Sequence, residues 1–167
     1  RVDEFAKRLA GADYMEILAR GGGILNTVKA TRAASLEQLE EKTRGFFKEM
    51  MSYGTTTVEV KSGYGLNLID ELKMLRVAES LAMEGLITVV PTFLGAHAVP
   101  PEFQGKPEAY LDFLIEKAIP WVAHEGTAWF CDVFCERGVF NVEQSRRILL
   151  AARDRGLDLK IHANQKS

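Results

Sequence analysis

Four short segments that read as strands, alternating with segments of helical period, limit this chain to a small set of folds. The first is Thr55 to Lys61 (TTTVEVK), and the second opens with Thr88, Val89 and Val90 inside LITVVPTFLGAHAVP. The third is Trp129 to Phe134 (WFCDVF) and the fourth Leu157 to His162 (LDLKIH). The apolar β-branched run Thr88, Val89 and Val90 of the second suits a buried strand. In the second, Pro91, Gly95 and Pro100 mark the exit from the strand into a shaped loop that carries His97.

The intervening segments announce their own boundaries. Ser35 with Gln38 forms a capping box, opening a helix whose inward stripe is Leu36, Leu39, Phe46, Phe47 and Met50, ending at Gly54. Asn67 caps the next, with Leu72, Leu75, Ala78 and Leu81 inward until Gly85. Pro107 starts a third, with Tyr110, Phe113, Leu114 and Trp121 on its apolar side. Asn141 with Gln144 repeats the capping box for a fourth, which carries Ile148, Leu149 and Ala152 to Gly156. Strands and helices at this spacing mean βαβ units and a parallel sheet. Four such strands are half a (β/α)8 barrel or a small doubly wound sheet. A doubly wound nucleotide binder carries G-x-G-x-x-G after its first strand; here that position holds Ser62-Gly63-Tyr64-Gly65.

Composition narrows the function classes. At 167 residues the chain suffices for one ordinary domain, and a net charge of −2 without a dense Lys/Arg cluster argues against nucleic-acid and membrane-surface binding. No apolar run has the length of a membrane span. Cys131 and Cys135 have no further Cys or His beside them, so free thiols in a reducing cytoplasm are expected rather than zinc. The chain starts with Arg1 and ends just after a histidine-bearing strand, and is expected to be an excerpt of something longer.

Polar residues gather at the strands' C-terminal ends: Lys61 with Tyr64, then His97, then Asp132 with Glu136, then His162 with Asn164 and Gln165. In a parallel sheet these share one rim, where α/β barrels carry their chemistry. Each has a plainer reading. His97 is a turn residue or a functional one; His162 is structural or a zinc or iron ligand. Asp132 is a buried hydrogen-bonding group or a catalytic carboxylate. Glu59 and Lys61 alternate along their strand, as a structural ion pair inside a barrel would. His124 suits the negative end of a helix and is assigned no function. The run Gly21 to Gly23 is a link or a loop close to a ligand.

The blocks GTTTVEVKSGYGL, ELKMLR, VVPTFLGAHAVPPEF, DVFCERGVF and KIHANQ resemble, in order, those of the imidazolonepropionase family. That family belongs to the metal-dependent amidohydrolases and acts in histidine degradation. RVDEF and GGGILNTVKATRAAS resemble the segment that follows its first metal motif. The resemblance covers essentially the whole chain but only the central part of the enzyme. It implies part of a (β/α)8 barrel of the amidohydrolase type, with flanking strands and a small β domain outside residues 1–167. It further implies one zinc or iron ion, a cytoplasmic homodimer, and hydrolysis of 4-imidazolone-5-propanoate to N-formimino-L-glutamate. By resemblance, His162 is a metal ligand and His97 contacts substrate, donating to its carbonyl oxygen. Tyr64 and, less directly, Tyr14 bind substrate, and Arg1 meets its carboxylate. Gln165 matches a position that is Glu in some members; a glutamine is no general base, so it orients water or substrate.

The family's His-x-His pair falls before Arg1 and its metal-binding aspartate after Ser167. One ligand cannot hold a catalytic ion, so these 167 residues by themselves are predicted to be inactive. The competing expectations are another cyclic-amide hydrolase or deaminase of the same superfamily, and a non-catalytic half-barrel that oligomerises through its open sheet edges.

Overall fold

The computed structural model describes residues 23–165. Helices α1 (Ile24–Ala33) and α2 (Leu36–Ser52) lead into β1 (Thr57–Lys61), α3 (Leu68–Met83) and β2 (Thr88–Ala96). A short 3-10 turn (Pro101–Phe103) precedes α4 (Pro107–Phe113), a π-helical turn (Leu114–Ala118) and α5 (Ile119–Glu125). Then come β3 (Phe130–Cys135), α6 (Val142–Arg153) and β4 (Asp158–Ala163). The strands form one sheet in the order β1-β2-β3-β4, all neighbours parallel. This is an α/β unit of the kind a (β/α)8 barrel repeats, with β1 and β4 as its edges among the described residues.

Local chemistry starts the helices where expected. Ser35 and Asn141 each close a capping box with the glutamine three residues on, and the Asn67 side chain accepts from the Asp70 amide. Helices cover one sheet face. Phe93, Cys131 and Val133 pack there against Leu75, Leu111, Leu114, Val122 and Ile148. Val89 packs with Phe47, Ala78 and Leu81 in an adjoining cluster. Cys131 is buried, which pushes its thiol pKa up to about 12, and both cysteines are free.

Three expectations need correction. Pro91 does not end the strand, because β2 runs through it to Ala96. Its carbonyl accepts from the Trp129 amide, so its missing donor faces a part of the chain ahead of Phe130, where β3 has not yet begun and the ladder loses nothing. The α2 stripe is displaced: Phe47 is buried, but Phe46 is 51% and Met50 39% exposed. Partly buried Leu39 and Met51 lie four residues either side of Thr43 and Phe47, which sets the inward face about 100° away from Phe46 and Met50.

Trp121, expected on the apolar side, is 50% exposed. Pro120 cannot donate to the preceding turn, and the helix widens into π geometry just before it, with the Ile119 amide reaching Leu114 O. One extra residue in that turn hands the inward positions to Ala118 and Val122.

Candidate active site

The inner sheet face is polar where the outer face is apolar. Glu59 and Lys61 on β1, Thr92 on β2, Asp132 on β3, and Lys160 and His162 on β4 share it. Glu59 accepts from Thr92 Oγ1 at 2.6 Å and from Lys160 Nζ at 2.7 Å, and pairs with Lys61 Nζ at 3.0 Å. Against the cost of burial, these three donors pull the Glu59 pKa down to about 2. Lys61 Nζ continues to Asp132 Oδ2 at 2.6 Å. Burial opposes the Lys61 charge, but the two carboxylates outweigh it and hold its pKa above the ordinary lysine value.

Asp132 is 1% exposed in its side chain. It accepts from its neighbour's amide, Val133 N, at 2.7 Å, and both its oxygens lie 3.2 Å from His162 Nδ1. A carboxylate at Nδ1 fixes the imidazole with Nδ1 protonated and leaves the Nε2 lone pair to face away. Phe134 supports the same ring by stacking, centroids 4.7 Å apart and planes 12° from parallel.

A β-bulge redirects the chain leading to His97. Phe93 pairs with Cys131 but Ala96 with Val133, so β2 contains one residue more than its partner. His97 follows, with its ring centroid 6.0 Å from His162, 6.0 Å from Phe134 and 5.1 Å from Tyr64. Its Nδ1 lies 3.0 Å from the Gly63 carbonyl, so Nδ1 carries the proton. Burial is the main influence on His97 and lowers its pKa. The neutral ring then offers Nε2 as an acceptor.

Tyr64, His97 and His162 thus meet at the C-terminal rim, as expected from strand ends. Gln165 is exposed two residues beyond the end of β4, and its backbone N–H donates to Glu136 Oε2 at 2.9 Å. Arg1 and Tyr14 lie outside the described residues. Among the described residues no group of three His, Cys, Asp or Glu side chains could hold a metal ion. His162 is suited to contribute one ligand, through Nε2. A groove of about 640 Å³ lined by Thr55, Thr56, Leu86, Thr88 and Trp129 lies at the opposite rim, remote from these side chains.

Two site residues escaped the sequence reading. Glu71 and Arg32 grip the Ser62–Leu66 loop from either side, Glu71 through its amides and Arg32 through the Gly65 carbonyl. Glu71 had a signal: it stands four and seven positions before Leu75 and Ala78, a charge inside an inward stripe.

Parallel β/α units with helices on one sheet face and polar side chains gathered at the strands' C-terminal rim are those of part of a (β/α)8 barrel. No family model matches the chain. It is 56% identical over 168 residues to an imidazolonepropionase of Symbiobacterium thermophilum and 52% over 165 residues to one of Alkaliphilus metalliredigens. It is also 53% identical over 167 residues to one of Bacteroides fragilis. These matches cover 99–100% of this chain and 39–40% of each relative, so the chain spans about 40% of their length. Along nearly its whole length the chain is homologous to imidazolonepropionases.

Proposed function

We propose that the intact protein hydrolyses the cyclic amide of 4-imidazolone-5-propanoate to N-formimino-L-glutamate, in the cytoplasm, as a homodimer. Identity near 50% across the chain with three imidazolonepropionases carries this reading, and the meeting of Tyr64, His97 and His162 supports it. In it, residues 1–167 form the central portion of the catalytic barrel. The remaining strands and a small β domain come from the rest of a protein of the relatives' length.

The donor set fits a single zinc or iron ion to the extent of one ligand, His162 Nε2, oriented by Asp132. Further ligands come from outside the described residues. Such an ion, when bound, makes hydroxide available near neutral pH and polarises the carbonyl under attack. In the net reaction, hydroxyl joins the carbonyl carbon, the carbon–nitrogen bond breaks, and the departing nitrogen takes a proton.

The chain's own residues bind and orient. Tyr64 packs edge-on to His97 and lines the substrate. His97 commits its Nδ1 proton to Gly63, so its Nε2 accepts while neutral and donates to the substrate's oxygen only after taking up a proton. Gln165 orients water or substrate, Arg1 pairs with the propanoate carboxylate, and Tyr14 adds to the same pocket.

The test is direct. The intact protein, loaded with zinc or iron, is incubated with 4-imidazolone-5-propanoate, and N-formimino-L-glutamate is assayed with and without chelator. Product formation that a chelator abolishes and metal restores is expected. A metal-loaded protein that leaves the ring closed overturns the reading.

A further inference from the structure

The loop that carries Tyr64 rests on a buried carboxylate that the proposed reaction leaves unused. Glu71, in the first turn of α3, is 2% exposed. Its Oε1 accepts from the amides of Gly65 and Leu66, each at 2.8 Å, and its Oε2 from the amide of Gly63 at 2.9 Å. The Ser62 hydroxyl faces the same carboxylate and favours its charged form against burial. That hydroxyl oxygen in turn accepts from the Leu94 amide of β2 at 2.9 Å, tying the loop to the neighbouring strand. With donors on every side, only an acceptor on both oxygens matches the site.

The loop's carbonyls are held from elsewhere. Gly63 O accepts His97 Nδ1–H at 3.0 Å, and Gly65 O accepts Arg32 Nε–H at 2.7 Å. Tyr64 stands between the two gripped glycines. The backbone here is shaped for this purpose and for little else. Gly63 has φ +95°, and a Cβ on Gly65 would lie 2.4 Å from Glu71 N. Leu66 is held at φ +52°, a conformation that non-glycine residues keep only when their surroundings impose it. A carboxylate buried this fully is costly, and capping α3 does not require it, because Asn67 already does that.

We propose that Glu71 is a positioning residue for the ring-opening reaction. By holding the Gly63 amide it turns the Gly63 carbonyl onto His97, fixes that ring as the Nδ1–H tautomer, and keeps Nε2 and the Tyr64 ring aimed at the substrate. The inference rests on the function proposed above for its reaction, but its effect on His97 is independent of that reading.

Glu71→Gln in the intact protein is the test. The amide has the carboxylate's shape, but its NH2 meets a backbone N–H in either orientation, at Gly63 or at Gly65 and Leu66. The readouts are the ring 15N shifts of His97, steady-state kinetics with 4-imidazolone-5-propanoate, and thermal unfolding. The wild type is expected to display the Nδ1–H pattern, and Glu71→Gln a mixed or Nε2–H pattern. With it, kcat is expected to fall by about tenfold to a hundredfold, the scale of a small misplacement of reacting groups. An Nε2–H pattern in the wild type overturns the proposal, as does a variant with unchanged tautomer and kcat. If the wild type does not open the ring while the variant still shifts the tautomer, the reading of the reaction falls and the positioning of His97 is upheld. Should Glu71→Gln not fold, Ser62→Ala loosens the same carboxylate and is judged by the same two readouts. A shift with reduced kcat supports the proposal, and no change in either overturns it.

Discussion

Asp132, on β3, presents both carboxylate oxygens to His162 Nδ1 on β4, each at 3.2 Å, with Lys61 from β1 braced against the same carboxylate at 2.6 Å. Three strands therefore converge on one imidazole, and the Nε2 lone pair takes its direction from that arrangement. Asp132→Asn keeps the size but makes the Nδ1 contact neutral and leaves Lys61 with one fewer counter-charge. In the intact protein, metal affinity is expected to fall about tenfold to a hundredfold, the usual consequence of losing a ligand's supporting carboxylate. Competition against a chelator measures it, and an affinity equal to wild type would count against His162 as a ligand.

The Glu59 network sets an acid limit. Its pKa falls from an ordinary 4.5 to about 2, because the Lys160, Thr92 and Lys61 donors outweigh burial. A carboxylate with a depressed folded pKa stabilises fully above its unfolded value, and that contribution is lost as pH drops through the folded value. The wild type is therefore expected to exceed Glu59→Gln in melting temperature near pH 6, and the gap to narrow between about pH 4.5 and pH 2. Parallel melting curves for the two proteins over that window decide it. A gap that stays constant would show that Glu59 is not charged through these contacts.

Gly63 tolerates no side chain. At φ +95° an added Cβ would lie 2.7 Å from Leu94 O and 3.1 Å from His97 Nδ1. Gly63→Ala combines an unfavourable backbone conformation with displacement of backbone, so a loss of about 1–3 kcal/mol in stability is expected. His97 should lose its fixed ring position at the same time. Urea unfolding gives the first quantity and the His97 ring 15N shifts the second. A variant as stable as wild type would mean that the loop shifts freely.

Short-range chemistry made much of this fold legible in the sequence. Ser35 with Gln38, Asn67, and Asn141 with Gln144 each settle a helix start within a few residues, and all behave accordingly. The gathering of Tyr64, His97, Asp132 and His162 was also readable, because parallel strands share a rim. Departures arose where a neighbour decides. Pro91 fits a strand interior only because β3 begins too late to need its donor. Trp121 turned outward because Pro120 forces an extra residue into the preceding turn. Glu71 is the clearest case. Its partners are amides of a loop folded back over its own helix, and periodicity alone reports a carboxylate there as a mismatch. The partnership of Asp132 with His162, thirty residues apart, needed the sheet register to become specific.

The 167-residue chain produced alone should contrast with the intact protein. Metal binding through a single imidazole is weak, and the edges of β1 and β4 stand open among the described residues. The isolated chain is expected to retain no stoichiometric zinc or iron after dialysis and to leave 4-imidazolone-5-propanoate unopened. Metal analysis with the product assay checks both, and turnover by the isolated chain would refute the need for ligands from elsewhere.

Substrate selection separates imidazolone opening from the other reactions of the amidohydrolase superfamily. Tyr64 lies half-buried beside His97, and no hydrogen bond engages its hydroxyl among the described residues. Tyr64→Phe keeps the edge-on ring and removes only that hydroxyl, so stability should hold while substrate contact weakens. Arg1→Ala removes the guanidinium expected at the propanoate carboxylate. Each change in the intact protein is expected to raise KM about tenfold, with kcat altered little, as follows when binding is lost equally from ground and transition states. An imidazolone lacking the propanoate arm separates the two residues. It should be insensitive to Arg1→Ala, because it has no carboxylate to pair, but should still respond to Tyr64→Phe. If Arg1→Ala leaves KM for the natural acid unchanged, the carboxylate clamp is wrong, and a different cyclic amide becomes the better candidate substrate.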